Sequence, residues 1–346
     1  MKLQKFLIGL TLFLGSCFGL QATGSTVYAA DGPDYVLSPV SANKAQSVGN
    51  GYYVIRTEND RVQQIKVNIL NKRSTTLKLS LSVNTGYTQD SGVYAWDSAK
   101  IPNDSSLKYK LRDYVQPKTM TVSIPPKSTK EVGFTLNAPA SYSGVLMGGI
   151  TSVPDGGKET GVNGNTALKI KYAYGLPIFL KMDNVRAVPN MSANSARGGL
   201  YASKTAVLAN IENNKPALLA NATMKLSVTR RGEKNVLHTA NATGLMIAPN
   251  SNFTYPISWG GQRLEAGDYT LHGTGSTGGQ SWKFTRNFTI SAAEADQLNQ
   301  EAGFKPDYTW LWITIAILVL IILGLLIYWL GRRSNKKKNS ANEEEE

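Results

Sequence analysis

His238 and His272 are the only imidazoles in this 346-residue chain, and Cys17 is its only cysteine. Neither histidine has a second ligand at metal-binding spacing, so no metal site is assigned. Gly273-Thr-Gly275-Ser-Thr-Gly278 has the spacing of a dinucleotide fingerprint. The following "GQSWKFTRNFTI" alternates like a strand, where a phosphate-binding helix would have to begin. The glycines therefore read as a hairpin loop. "DGGKET" at 155–160 lacks the first glycine and the spacing of a phosphate-binding loop, and no GxSxG turn presents a serine nucleophile. Paired carboxylates need no local motif and stay open. No catalytic residue and no cofactor is assigned, and the expectation is a protein that binds and is not an enzyme.

The remaining chemistry is aromatic. Tyr87, Tyr94 and Trp96 lie in a loop-like stretch and are the candidate ligand contacts, because aromatic faces offer large area with few rotamers. Filling the core is the competing role for each. "SYSGVLMGGI" at 141–150 poses a second question. Val145, Leu146, Met147 and Ile150 call for burial, yet Gly144, Gly148 and Gly149 interrupt them, and glycine weakens a strand. Either Gly148 and Gly149 admit a ligand or another backbone, or form a bulge, or they make room for a large side chain opposite.

These residues must be placed by elements legible between two characteristic ends. Lys2 and Lys5, an apolar run from Phe6 to Leu20 and the small residues before position 30 read as a secretory signal peptide over 1–29. Cleavage there would remove Cys17, which stands in a loose lipoprotein-like "LGSC". At the other end, 308–330 carries no charge and suits a transmembrane helix, for which about 20 apolar residues suffice. Trp310 and Trp312 flank it on one side, Tyr328 and Trp329 on the other, as interfacial anchors. Arg332, Arg333, Lys336, Lys337 and Lys338 follow, which puts the 331–346 tail in the cytoplasm and the bulk of the chain outside. The net charge is +13; the leader carries +2 and the tail +1, which leaves +10 for the external region. Such a region is drawn to anionic surfaces such as teichoic acid or phospholipid headgroups. A secreted chain is not expected to meet nucleic acid.

The external region alternates with period two, the mark of half-buried strands. Ile65/Val67/Ile69, Leu77/Leu79/Leu81/Val83, Met120/Val122/Ile124 and Val132/Phe134/Leu136 are the first sets. Leu168/Ile170/Tyr172/Tyr174, Ala222/Met224/Leu226/Val228, Phe253/Tyr255/Ile257 and Trp282/Phe284/Phe288/Ile290 follow. Turn-rich segments separate them, so the fold class is all-β, with two immunoglobulin-like antiparallel sandwiches. The expected domains are 34–165, with a strand that can extend the unit to 184, and 166–291. The polar stretch 182–199 reads as the linker. Ser291-x-x-Glu294 has capping-box spacing, and a juxtamembrane helix is expected over 292–307, stopped at Gly303.

"GYYVIRTENDRVQQIKVNILNKRSTTLKLSLSVNTGYTQDSGVYAW" and "SYSGVLMGGITSV" resemble the first domain of the WxL-interacting protein family of Gram-positive bacteria. "MIAPNSNFTYPISWGGQRLEAGDYTLHGTGSTGGQSWKFTRNFTIS" resembles its second. The resemblance implies a peptidoglycan-binding first domain, a host-binding second domain and WxL-domain surface proteins as partners. It supplies no catalytic residue. The chain has no Trp-x-Leu triplet of its own, so it resembles the partner and not the WxL protein. The expected function is a non-catalytic surface adaptor held by one span and presenting an outward domain. The alternatives are a stand-alone adhesin for host matrix protein and a wall-active enzyme.

Overall fold

The computed structural model describes residues 34–49, 51–57, 61–102, 104–140, 142–155, 158–161, 167–170, 173–182, 187–305 and 308–342. The expected signal peptide, with Cys17, and the terminal Glu343–Glu346 lie outside them.

Alternation becomes strands wherever one face can be covered. The first fourteen are β1 (Tyr35–Val40), β2 (Gln46–Gly49), β3 (Tyr52–Arg56), β4 (Val62–Asn71), β5 (Leu77–Thr85), β6 (Tyr87–Thr88), β7 (Tyr94–Ala95), β8 (Val115–Gln116), β9 (Thr119–Ile124), β10 (Thr129–Asn137), β11 (Gly144–Pro154), β12 (Lys158–Gly161), β13 (Ala167–Ile170) and β14 (Tyr174–Met182). One sheet has the order β1-β4-β10-β8, and the sheet facing it runs β2-β3-β14-β11-β5-β9. Only the β3–β14 pair among them is parallel. Ile65, Val67 and Ile69 from one sheet meet Leu79, Leu81, Ile150 and Ile178 from the other in a closed core.

The second sandwich comprises β15 (Ser192–Tyr201), β16 (Lys204–Asn213), β17 (Leu219–Arg230), β18 (Val236–Ile247), β19 (Ser251–Ser258), β20 (Gly267–Thr277) and β21 (Gln280–Ile290). Its sheets are β15-β16-β19 and β18-β17-β20-β21, closing over Val207, Ile211, Leu226, Tyr269 and Leu271. The fold is thus all-β, built from antiparallel immunoglobulin-like sandwiches.

One device recurs in both cores. Buried Asn71 donates to the carbonyls of Thr75, Ile124 and Pro125 at 2.9–3.1 Å while accepting from Arg73 N. Buried Asn213 likewise donates to Ala217 and Ala248 and accepts from Asn190 N. Each amide satisfies carbonyls that leave the ladder at a strand end, where an unpaired buried group is costly.

Two expectations need correcting. The Leu168–Tyr174 run is not one strand: β13 pairs with β12 in a separate hairpin, and β14 pairs with β11. The polar stretch at 182–199 is not all linker, because its second half is β15. Small residues suit that edge strand, since a methyl at Gly198 would lie 3.2 Å from Leu298 of the helix packed on it.

Two helices follow β21: α1 (Ala292–Glu301) and α2 (Thr309–Asn342). The Ser291 hydroxyl accepts from Glu294 N at 3.2 Å, and Gly303 at φ +87° ends the turn after α1. Buried Asn299 accepts from Leu264 N (2.7 Å) and donates to Leu264 O (3.0 Å), which clamps α1 to the second sandwich. The Leu311–Trp329 segment of α2 is long and apolar enough to cross a membrane, and none of it is buried by protein. Trp312, Tyr328 and Trp329 are exposed on it; Trp310 and the basic residues from Arg332 to Lys338 fall within its backbone range.

Two predictions follow from this packing. A methyl at Gly148 would run into the buried Leu111 side chain and the Asn84 carbonyl. Gly148→Ala should therefore cost about 1–3 kcal/mol of overpacking, read by denaturant unfolding. In the second sandwich His238 lies against Trp259, ring centroids 4.2 Å apart, and burial holds its pKa below the ordinary 6.5. The neutral ring is favoured in the folded state, so its contribution is complete above pH 6.5 and fades as pH falls through the lowered value. Thermal melts between pH 8 and 5 should show this loss, and His238→Gln should flatten the slope.

Candidate ligand groove between the sandwiches

The Gly-Gly pair of β11 serves two opposite surfaces. Gly148 faces inward, under Leu111. Gly149 faces outward, and with Gly175 of β14 it forms a bare patch of sheet on which Trp96 lies. A methyl at either glycine would come within 2.6 Å of the indole nitrogen. Trp96 follows the β6–β7 hairpin directly, so the glycine patch positions that hairpin. Asn84 secures it further, donating to the Trp96 carbonyl at 2.9 Å and to Thr151 Oγ1 at 3.2 Å. The Arg112 guanidinium in turn donates to Asn84 Oδ1 and to Ser82 Oγ.

From Trp96 a row of aromatic rings crosses the outer face of the six-stranded sheet. Tyr94 stacks on Trp96 at 5.9 Å, Phe179 meets Tyr94 edge-on at 6.1 Å, and Tyr52 meets Phe179 at 6.2 Å. A solvated sheet face is ordinarily polar. Here Tyr52 and Val54 of β3 and Pro177 and Phe179 of β14 make it apolar, as one wall of a groove of about 940 Å³. Lys181 stands at the same wall. The opposite wall is the second sandwich: Ala217, Leu218 and the Thr277–Gln280 turn.

The far tip of the hairpin holds the walls together. Thr88 Oγ1 is buried, accepts from Ala248 N at 3.0 Å and shares a 2.5 Å hydrogen bond with Ser251 Oγ. Asp90 accepts from Thr254 N, Asp104 accepts from Asn252 Nδ2, and Gly92 O accepts from Met246 N, each at 2.8–2.9 Å. Gly144 completes the junction. At φ +90° it lies against Pro216, and the next amide, Val145 N, donates to Pro216 O at 2.7 Å.

Of the three aromatic candidates, Tyr94 lines the groove, Trp96 backs it, and Tyr87 braces the hairpin through a 2.6 Å hydrogen bond to Asp97. Burial also raises the Tyr87 hydroxyl pKa. Tyr52, Pro177, Phe179 and Lys181 were missed. Their signal was present: "YYVIR" and "YGLPIFLKM" are apolar on both faces, so something beyond the core was to meet their outer side.

The other chemical candidates are dispersed. His272 makes a 3.2 Å contact with Thr229 Oγ1. Gly273 and Gly275 stand within β20, against Phe284 and Met191, not in a loop; only Gly278 belongs to the turn. Among the described residues no group of three or more His, Cys, Asp or Glu side chains converges.

Two family models match the chain. Residues 35–153 match the family model described as WxL Interacting Protein, peptidoglycan binding domain. Residues 163–300 match WxL Interacting Protein, host binding domain. The second match begins before β14, although β14 pairs with β11 and β3 in the first sandwich. No curated protein matches the chain. Similar solved structures include the YadV chaperone (12% identity, 74% of this chain and 100% of that one, TM-score 0.31). Others are the Pseudomonas aeruginosa CupB2 chaperone (13%, 69% and 97%, TM-score 0.28) and the E. coli chaperone DraB (12%, 71% and 98%, TM-score 0.28).

Replacing Thr88 with Val removes the hydroxyl and strands Ala248 N at the junction. The expected cost is about 1–3 kcal/mol of docking energy. Small-angle scattering should show a broader distribution of inter-sandwich distances, with each sandwich still folded by circular dichroism.

Proposed function

The chain belongs to the WxL-interacting protein family, and from that premise we propose a membrane-anchored surface adaptor that grips peptidoglycan in the groove between its sandwiches. Both matched models describe binding domains, and neither describes a catalytic family. The carrying observation is the aromatic row Tyr52–Phe179–Tyr94, held on an outer sheet face that would otherwise be polar. Flat rings of this kind stack against sugar faces or peptide side chains at little entropic cost. Lys181 at the same wall suits the carboxylates of peptidoglycan stem peptides.

α2 supplies the anchor. Its apolar segment has no protein packed on it, and the positive cluster beyond supports a reading in which that end is cytoplasmic and both sandwiches lie outside. Adaptor action with a WxL-domain protein is part of this reading, as is host contact through the second sandwich. A stand-alone adhesin would bind matrix without either wall or WxL partner. The role is non-catalytic.

Full-length protein in detergent should sediment saturably with purified peptidoglycan. Tyr94→Ala combined with Phe179→Ala should weaken that binding at least about tenfold, since aromatic hot-spot contacts are worth roughly 1–2 kcal/mol each. The melting temperature should hold, because both side chains sit on the outer face. Undiminished binding by the double variant would move the wall site elsewhere.

A further inference from the structure

The outer face of the β18-β17-β20-β21 sheet has an unusual balance of charge. Its four strands contain a single carboxylate, Asp268, and that group is paired with Arg231 at 3.3 Å. Arg230 is paired with Glu265 and lies over the Tyr269 ring. Arg286 is spent on the Ala193 carbonyl, at 2.6 and 3.0 Å. Lys225 and Lys283 remain, both exposed, and among the described residues neither has an ion-pair or side-chain hydrogen-bond partner.

Register brings these two amines together. Lys225 on β17 is opposite Thr274 on β20, which is opposite Lys283 on β21. The lysines thus flank one threonine, about 10 Å apart across two strand spacings. In the adjoining row Thr223 is opposite Ser276, the two hydroxyls sharing a 2.8 Å hydrogen bond, and Ser276 is opposite Ser281; all three residues are exposed. Together they line a shallow concavity of about 490 Å³. Two unpaired cations beside a row of hydroxyls suit a chain of monoanions separated by hydroxylated spacers.

The tether decides where such a chain must lie. α1 is clamped to this sandwich, and only residues 302–308 separate it from α2. Fully extended, that segment spans at most about 25 Å. The α1 end of this sandwich therefore stays close to whatever surface holds α2, and Lys283, seven residues up β21 from Ile290, stands about 23 Å further out, within reach of a polymer rising from that surface. We propose that it binds a glycerol-phosphate polymer tethered to the same membrane. This rests on the membrane-anchored reading given above, and it assigns the second sandwich a ligand beside its host-binding role. Phosphodiester charge meets the lysines, and the hydroxyl row meets the glycerol units.

The test uses full-length protein in neutral detergent, with deacylated lipoteichoic acid as the labelled probe and fluorescence anisotropy as the readout. Binding should weaken steeply as salt is raised from 50 to 200 mM, on the order of a few-fold for two screened contacts. Lys225→Gln with Lys283→Gln should weaken it roughly fivefold. Lys204→Gln with Lys234→Gln removes equal charge elsewhere and should leave it unchanged. Equal losses in the two double variants would reduce the effect to net charge and overturn the proposal. Tighter, Lys225/Lys283-dependent binding of heparin would overturn it in favour of a sulfated glycan. Membrane fractionation of cells carrying the full chain separates the premises: a chain that fails to sediment with membranes removes the anchored reading, whereas sedimentation without probe binding removes only the ligand.

Discussion

A single indole lying on bare backbone governs the arrangement of this molecule. Trp96 needs two strands with no side chain beneath it, and Gly149 and Gly175 provide them. Strand glycine costs stability, roughly 0.5–1 kcal/mol each relative to alanine. The return is a defined seat for the β6–β7 hairpin. Once seated, that hairpin carries Tyr94 to the groove and Thr88 to the second sandwich. Groove and junction are therefore two ends of one small element, held from below by one ring.

β11 shows how densely one strand can be used. Gly144 opens space for Pro216, Gly148 for Leu111 and Gly149 for Trp96. The three positions face the neighbouring sandwich, the core and the solvent side in turn. Over the Gly-Gly pair stands a large side chain at each position, Leu111 over Gly148 and Trp96 over Gly149, with the Asn84 carbonyl beside Gly148; Gly144, outside the pair, lies against the Pro216 backbone.

The interior strands β4, β5, β10 and β17 were legible because one covered face forces alternation, and the apolar members of each set are buried; the polar residues buried beside them, such as Gln63, Asn71, Asn84 and Thr229, carry no such signal. β15 was not, because an edge strand under a helix favours small residues, and small polar residues also spell a linker. The groove was only partly legible. Tyr94 could be picked by type and by its loop-like setting. Tyr52, Pro177 and Phe179 are distant in sequence and meet only through the parallel β3–β14 register, in which Tyr53 pairs with Ile178 and Val54 with Phe179. A local pattern cannot express a long-range parallel pairing.

The Asn299 clamp has a mechanical consequence. In the proposed arrangement, with α2 in the membrane and the first sandwich on the wall, the chain would come under tension whenever the two separate. Pull on α2 passes into α1 and, through the two Asn299–Leu264 hydrogen bonds, into the body of the second sandwich and not only into the end of β21. Between the sandwiches the load divides again, through the Gly92–Met246, Thr88–Ser251 and Val145–Pro216 bonds. A load on α2 thus meets discrete hydrogen bonds at two places, the clamp and the seam, before it reaches either core.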